Sequence, residues 1–246
     1  RTGGPISAEM MQSFLQDFGV PTRIEGYGMS EIPAACSNPY AGPHKIGSIG
    51  VAGVHPARPG AFTELRVLDD DGRDAAPGAV GELAVRTPVR FDGYLREPGQ
   101  TAAAFRDGWF LTGDLVRRDA DDYVYFVGRK KEIIIRGGEN IAGAEIDGVL
   151  AEHPDVAQVA AIGVPSELGD EEILVAVVAR PGRALTHEDV AAWCRERLAA
   201  MKQPRFVLLT DALPHTPTHR VAKHLLRQDG ERLRQARDMA PPAARG

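Results

Sequence analysis

The sequence predicts a mixed α+β fold in two units, on three observations. From Lys45 to about Val127, short alternating runs such as "FTELRVLDDDGRD", "GELAVRTP" and "DDYVYFVG" are split by Gly, Pro and Asp clusters, the pattern of hairpins closed by tight turns. After Gly128 the texture changes to helical periodicity interleaved with apolar strand-like runs. Between the two, "GRKKEIIIRGGENI" sets cations and glycines at the ends of one short apolar strand, which marks a boundary at about Gly128.

Each element follows in order. Ser7 is placed to cap a helix running to about Phe18, with Met10, Met11, Phe14, Leu15 and Phe18 on one face. A short strand from Thr22 to Glu25 runs into "GYGMSE". The segment Lys45–Val127 reads as a small antiparallel sheet or barrel, with "DDDG" and "DADD" as hairpin turns. A helix from about Ala144 to Glu152 buries Ile146, Val149 and Leu150, and Pro154 stops it. Strands follow at Val156–Ile162 and Ile173–Ala179. Thr186 and Asp189 form a capping box that opens a helix to about Met201, burying Val190, Trp193, Cys194 and Leu198. A strand at Phe206–Leu209 and a short helix from Val221 complete the second unit, and residues 229–246 lack apolar periodicity and are expected to fray. The opening "RTGGP", with no initiator Met, reads as the middle of a longer chain.

Composition bounds the function. With 246 residues, 43% hydrophobic and 26% charged, the chain has the make-up of a soluble globular protein of one large or two modest domains. A net charge of −5 without a basic block points away from nucleic acid, and no apolar run approaches the ~20 residues that span a bilayer. Cys36 and Cys194 lie far apart with no metal-ligand spacing, as expected of reduced core thiols in a cytoplasmic protein.

Three motifs carry chemistry. In "GYGMSE" an aromatic ring, a hydroxyl and a carboxylate follow one another, so Tyr27 can stack on a planar base, Ser30 can meet a phosphate and Glu31 can offer a hard oxygen to Mg²⁺. Read alone, the same loop is also a glycine-rich turn with a tyrosine plug and a solvated carboxylate. In "GWFLTGDLVRRD", Asp114 follows Gly113 at the end of an apolar run, where its two oxygens match a vicinal diol or simply cap a turn. In "GRKK", Arg129 offers a fork of donors to hydroxyls or phosphate, or a solvated charge ahead of a strand.

Taken in order, "GGP", "YGMSE", "TGD", "GRKKEIIIRGGENI" and "LPHTPTHRVAK" resemble the adenylate-forming superfamily of acyl-CoA and aryl-CoA ligases, luciferase-like enzymes and peptide-synthetase adenylation domains. The resemblance covers roughly Arg1 to Arg227, and "GELAVRTP…FDGYLREPGQTAAAFRDGWFLTGDL" is similar to the acid–CoA ligase branch. It implies that residues 1–127 form the C-terminal part of a large AMP-binding domain, with a β-barrel subdomain at about 45–127, and that residues 128–228 form a small mobile α+β domain. It also implies a chemistry. A small-molecule carboxylate attacks the α-phosphorus of ATP, pyrophosphate leaves, and the thiol of coenzyme A then attacks the acyl-adenylate.

By the same resemblance Tyr27 stacks on adenine, Ser30 contacts the α-phosphate, Glu31 helps hold Mg²⁺, and Asp114 and Arg129 grip the ribose hydroxyls. Gly3 and Gly4 lie beside the nucleotide and acyl group. Lys131 occupies the hinge between two orientations of the small domain, and Gly137 and Gly138 border the coenzyme A channel.

Two departures stand out. The family's phosphate loop belongs upstream of Arg1, so the chain by itself is expected to be inactive. The family's late lysine, in a Thr-Gly-Lys context, is replaced in "PTHRVAK" by Arg220 after His219, with Lys223 one helical turn further on as the other candidate cation. Two other readings follow from these residues: a non-catalytic relative that binds nucleotide or acyl-adenylate, and a peptide-synthetase adenylation domain, disfavoured because no carrier segment follows Arg227.

Overall fold

Alternating apolar residues joined by tight turns build the first part of the chain into antiparallel strands. The computed structural model describes residues 13, 16–19, 25–39, 42–54, 62–166, 169–217 and 219–240. The chain divides into two compact units, Arg1–Lys130 and Lys131–Gly246. The helix expected from Ser7 lies largely outside the described residues, as do Gly3, Gly4 and most of the strand expected at Thr22–Glu25.

In the first unit, β1 (Gly26–Met29), β2 (Ile32–Ser37) and β3 (Val51–Ala52) form one sheet. A second sheet holds β4 (Glu64–Leu68), β5 (Val80–Arg86), β6 (Phe105–Arg106), β7 (Trp109–Arg118) and β8 (Val124–Arg129). A short helix α1 (Pro98–Ala103) precedes β6, with proline in its first turn, where a missing N–H costs nothing. β7 pairs with β5 along one edge, while β6 and β8 share its other edge. Inward-facing Val67, Leu83, Val85, Phe110, Val116 and Val124 bury against Ile32, Ala35 and Cys36 of β2. Phe91 stacks on Phe105 at 5.7 Å and meets Phe110 edge-on at 5.4 Å, which closes one end of this core.

The barrel expected over residues 45–127 is not closed. The sheet runs β4-β5-β7-β6 with β8 on β7, and β4 and β8 never pair. Both edges are already occupied locally. The outer edge of β4 takes back its own following segment through Ala75 N–H to Val67 O and the Leu68–Asp74 bridge. The outer edge of β8 exchanges Ile49 N–H to Val124 O and Val124 N–H to Gly50 O. Pairing of this kind at one end of each edge strand competes with closure between β4 and β8.

The "DADD" turn between β7 and β8 is organised by Asp119, which accepts the backbone N–H groups of Asp121 and Tyr123, the Tyr125 hydroxyl and the Lys45 ammonium at 2.6 Å. The Lys45 bond, chiefly, holds the Asp119 carboxyl down at about 2. A depressed carboxyl stabilises the fold above its unfolded pKa, near 3.9, and loses that contribution as pH falls towards 2. We therefore expect acid unfolding of the first unit to include an Asp119 component across that window. Substituting Asp119→Asn and repeating the pH titration of thermal unfolding should flatten it, and an unchanged slope would refute the assignment.

The second unit packs helices on both faces of a four-stranded sheet. Before it comes a hairpin of β9 (Ile133–Arg136) and β10 (Glu139–Ala142), then α2 (Gly143–Ala151). β11 (Val156–Pro165) and β12 (Glu171–Ala179) are antiparallel, and α3 (His187–Arg197) carries the chain over to β13 (Phe206–Leu209), parallel to β12. Alternation along β12 explains its continuous apolar run. Ile173, Val175 and Val177 face α2 and α3 with Ile146, Leu150, Val190 and Cys194, while Leu174 and Ala176 face Leu226 of α4 (Lys223–Gln228) on the other side. The Thr186–Asp189 capping box forms with both reciprocal bonds. Leu198 leaves helical geometry, so α3 ends at Arg197, short of the Met201 expected, and a 3-10 turn covers Ala200–Lys202. Both cysteines are buried and unbridged, and burial pushes each thiol up to about 12.

Two further outcomes depend on packing, and the second corrects an expectation. Of the isoleucines at 133–135, only Ile134 is buried, and Ile135 is half exposed, because a two-stranded hairpin buries one face only. The tail is ordered to residue 240. After α5 (Gly230–Leu233), β14 (Arg237–Asp238) pairs with β13, and Met239 N–H donates to Arg205 O. That pairing satisfies a sheet edge, which apolar periodicity does not reveal.

Candidate functional site

The segment Thr112–Gly113–Asp114 is a β-bulge in the middle of β7. Glu82 opposes Leu115 and Ala84 opposes Leu111, so three residues of β7 face the single residue Leu83 of β5. Gly113 takes φ +71°, a left-handed conformation that favours glycine. The surplus main-chain groups are taken up by side chains. Thr112 Oγ1 donates to Leu83 O at 2.8 Å and accepts Asp114 N–H at 3.1 Å, while Glu82 Oε1 accepts Gly113 N–H at 3.1 Å. The bulge re-aims the strand so that the Asp114 side chain, 2% exposed as a residue, meets two sequence-distant partners.

Those partners are Tyr27 and Arg129. The Tyr27 hydroxyl donates to Asp114 Oδ2 at 2.6 Å, across 87 residues of sequence. Arg129 is the cross-strand partner of Asp114 in the β7–β8 ladder, and its Nε lies 3.2 Å from Asp114 Oδ1. Burial, reinforced by the Asp114 charge, pushes the Tyr27 phenol well above its ordinary range, so it stays a donor at all physiological pH. An aromatic ring, a buried carboxylate and a guanidinium thus adjoin one another on the first unit. This is a donor–acceptor set suited to a planar base joined to a vicinal diol.

Ser30 and Glu31 form the two-residue loop of the β1–β2 hairpin, since Met29 opposes Ile32. Ser30 is exposed. Glu31 is tied to a second segment: its carbonyl accepts Phe91 N–H at 2.9 Å and its Oε1 accepts the Tyr94 hydroxyl at 3.1 Å. Among the described residues no group of three metal-ligating side chains gathers. One fixed carboxylate at a loop still fits Mg²⁺, which commonly takes one or two protein carboxylates and completes its shell with water and phosphate oxygens.

In the second unit, Gly137 and Gly138 are the central pair of the β9–β10 turn, with φ +59° and +79° between paired Arg136 and Glu139. Positive φ at both positions is the type I′ geometry, so the turn itself requires these glycines whatever passes beside them. Lys131 is exposed in the 3-10 turn Lys130–Glu132, at the division between the two units. Arg220 is exposed, and His219 before it sits at φ +61°, the left-handed conformation that a glycine would take there.

Lys223 is enclosed rather than solvated. Its side chain is 11% exposed, with Nζ 2.6 Å from Asp147 and 3.5 Å from Glu132. It is a structural cation that ties α4 to α2 and to the turn before β9, and α4 packs it inward because Leu226 shares its buried face.

The family model for the AMP-binding enzyme matches residues 2–95, and that for the AMP-binding enzyme C-terminal domain matches residues 145–220. The chain belongs to the adenylate-forming enzyme family. Oxalate–CoA ligase of Arabidopsis thaliana is 41% identical over 86% of this chain and 40% of its own length. Indoleacetate–CoA ligase of Aromatoleum aromaticum is 39% identical over 92% of this chain and 43% of its own. ATP-bound MatB from Rhodopseudomonas palustris superposes with a TM-score of 0.81 at 33% identity, over 92% of this chain and 44% of that one. The chain therefore spans about two fifths of the length of the relatives it matches.

Three residues that support the candidate site, Thr112, Glu82 and Tyr94, are not singled out by the motifs. The first two support the bulge and the third steadies Glu31. Each lies inside a quoted motif, but nothing in strand periodicity announces an inserted bulge.

Proposed function

We propose that the chain is the C-terminal portion of an ATP-dependent carboxylate–CoA ligase that forms an acyl-adenylate and then a coenzyme A thioester. The contiguity of Tyr27, Asp114 and Arg129 carries this reading, because three residues from distant segments meet in the order base, diol, cation. In it, the Tyr27 ring stacks on adenine while its hydroxyl braces Asp114, and Asp114 and Arg129 hold the ribose hydroxyls. Ser30 donates to the α-phosphate. Glu31, steadied by Tyr94, is the protein ligand of Mg²⁺, which when bound neutralises phosphate charge. Lys131 is the hinge, and the Gly137–Gly138 turn borders the path of coenzyme A.

Arg220 supplies the positive charge where the family has lysine, with a wider, planar head. The His219–Arg220 pair favours a second reading, a relative that binds nucleotide without turnover. Carboxylate-dependent exchange of pyrophosphate into ATP, measured on the protein as its gene encodes it, separates the two. Exchange supports the ligase. Binding of AMP with no exchange for any of a panel of aliphatic and aromatic acids supports the binding relative, and absence of AMP binding refutes both.

A further inference from the structure

Glu82 is the one side chain on β5 whose two carboxylate oxygens reach two separate parts of the site. Oε1 accepts the Gly113 N–H at 3.1 Å, within the bulge that aims Asp114. Oε2 accepts the Lys130 ammonium at 3.0 Å. The Glu82 side chain is 14% exposed and that of Lys130 is 50% exposed, so the carboxylate is the fixed partner and the amine the movable one. Lys130 is the last residue of the first unit, next in sequence to Lys131, and it opens the 3-10 turn that leads into β9.

We infer that Glu82 is a positioning residue that couples the ribose-binding bulge to the inter-unit turn, so that nucleotide contact at Asp114 and retention of Lys130 strengthen one another. This deepens the reading of the site given above and rests on it. The physical basis is that one rigid carboxylate serves both bonds. When Lys130 leaves, Glu82 loses the charge that orients it, and its bond to Gly113 N–H weakens. When nucleotide stiffens the bulge, Glu82 is held where Lys130 can find it. Coupling of this kind is reciprocal.

Amide hydrogen exchange on the gene-encoded protein tests it, using Glu82→Gln, which keeps an acceptor for Gly113 but removes the charge, Lys130→Met, their double variant and Lys130→Arg. Without nucleotide, Lys130→Met should speed exchange of the Gly113 amide at least threefold, Lys130→Arg should restore it to within twofold of wild type, and the double variant should exchange no faster than Glu82→Gln alone. With AMP, wild type should gain protection across residues 128–133, and Glu82→Gln should lose most of that gain and bind AMP at least threefold more weakly. An unchanged Gly113 amide in Lys130→Met, or effects of the single variants that multiply in the double, would overturn the inference. If wild type binds no AMP, the functional reading fails, yet the nucleotide-free cycle still decides whether Glu82 links Gly113 to Lys130.

Discussion

Replacing Asp114 with alanine should abolish nucleotide binding in the measurable range and destabilise the first unit together. The carboxylate is buried, accepts from the Tyr27 hydroxyl and is ion-paired with the Arg129 guanidinium. Hydrogen bonds to a charged group contribute about 1.5–3 kcal/mol each, so if Asp114 holds both ribose hydroxyls as proposed, its loss should weaken AMP by roughly 100-fold or more. The same change leaves the Tyr27 hydroxyl without its acceptor in a half-buried setting, and the expected stability loss is about 2–4 kcal/mol. Asp114→Asn keeps the shape and one acceptor oxygen, so it should retain most of the stability while still losing the charge that AMP binding needs. Calorimetric titration with AMP reads the first effect. Urea unfolding followed by Trp109 fluorescence in a Trp193→Phe background reads the second, because the chain has two tryptophans, one in each unit. AMP affinity within threefold of wild type for Asp114→Ala would remove Asp114 from the site.

Lys223→Ala should cost the second unit about 2–4 kcal/mol, whereas Arg220→Ala should leave its stability within about 0.5 kcal/mol. Lys223 is enclosed between Asp147 and Glu132, while Arg220 is exposed and its main chain is bonded to Thr216. Burial already pushes the Asp147 carboxyl above its ordinary range, opposed by the Lys223 charge. Removing that charge raises the carboxyl further. A group whose folded pKa is raised favours the fold at low pH and loses that contribution as pH climbs through the folded value, so the Lys223→Ala deficit should shrink on acidification. Trp193 fluorescence during urea unfolding at two pH values measures both. Equal stability of the two variants would return Lys223 to the list of available cations and leave Arg220 without its distinction.

The candidate site was legible in part. Tyr27, Asp114 and Arg129 are singled out by the order of their motifs and the family resemblance it carries, since each motif alone also fits a plain turn or a solvated charge. What holds them together was not legible. The bulge at residues 112–114 depends on a count of residues across two strands, and Glu82 joins it only because β5 happens to lie opposite. The surroundings of Lys223 are not legible for a related reason. Its position one helical turn beyond Arg220 follows from spacing, but whether that face of α4 looks to water or to Asp147 depends on where α2 is packed. The resemblance sets Gly137 and Gly138 beside the coenzyme A channel, while the backbone requires them first for a type I′ turn.

From its residues alone this protein already carried its element types, the change of texture near Gly128, the Thr186–Asp189 cap and the alternation that buries both faces of β12, since these depend on period and on neighbours three or four residues apart. Only the tertiary structure decided that the first unit's sheet stays open, that residues 229–240 complete a sheet edge, and that one carboxylate at Asp114 joins residues 27 and 129. Those outcomes turn on which main-chain and side-chain groups find partners across long stretches of sequence. Local pattern does not encode such partners, and packing selects them.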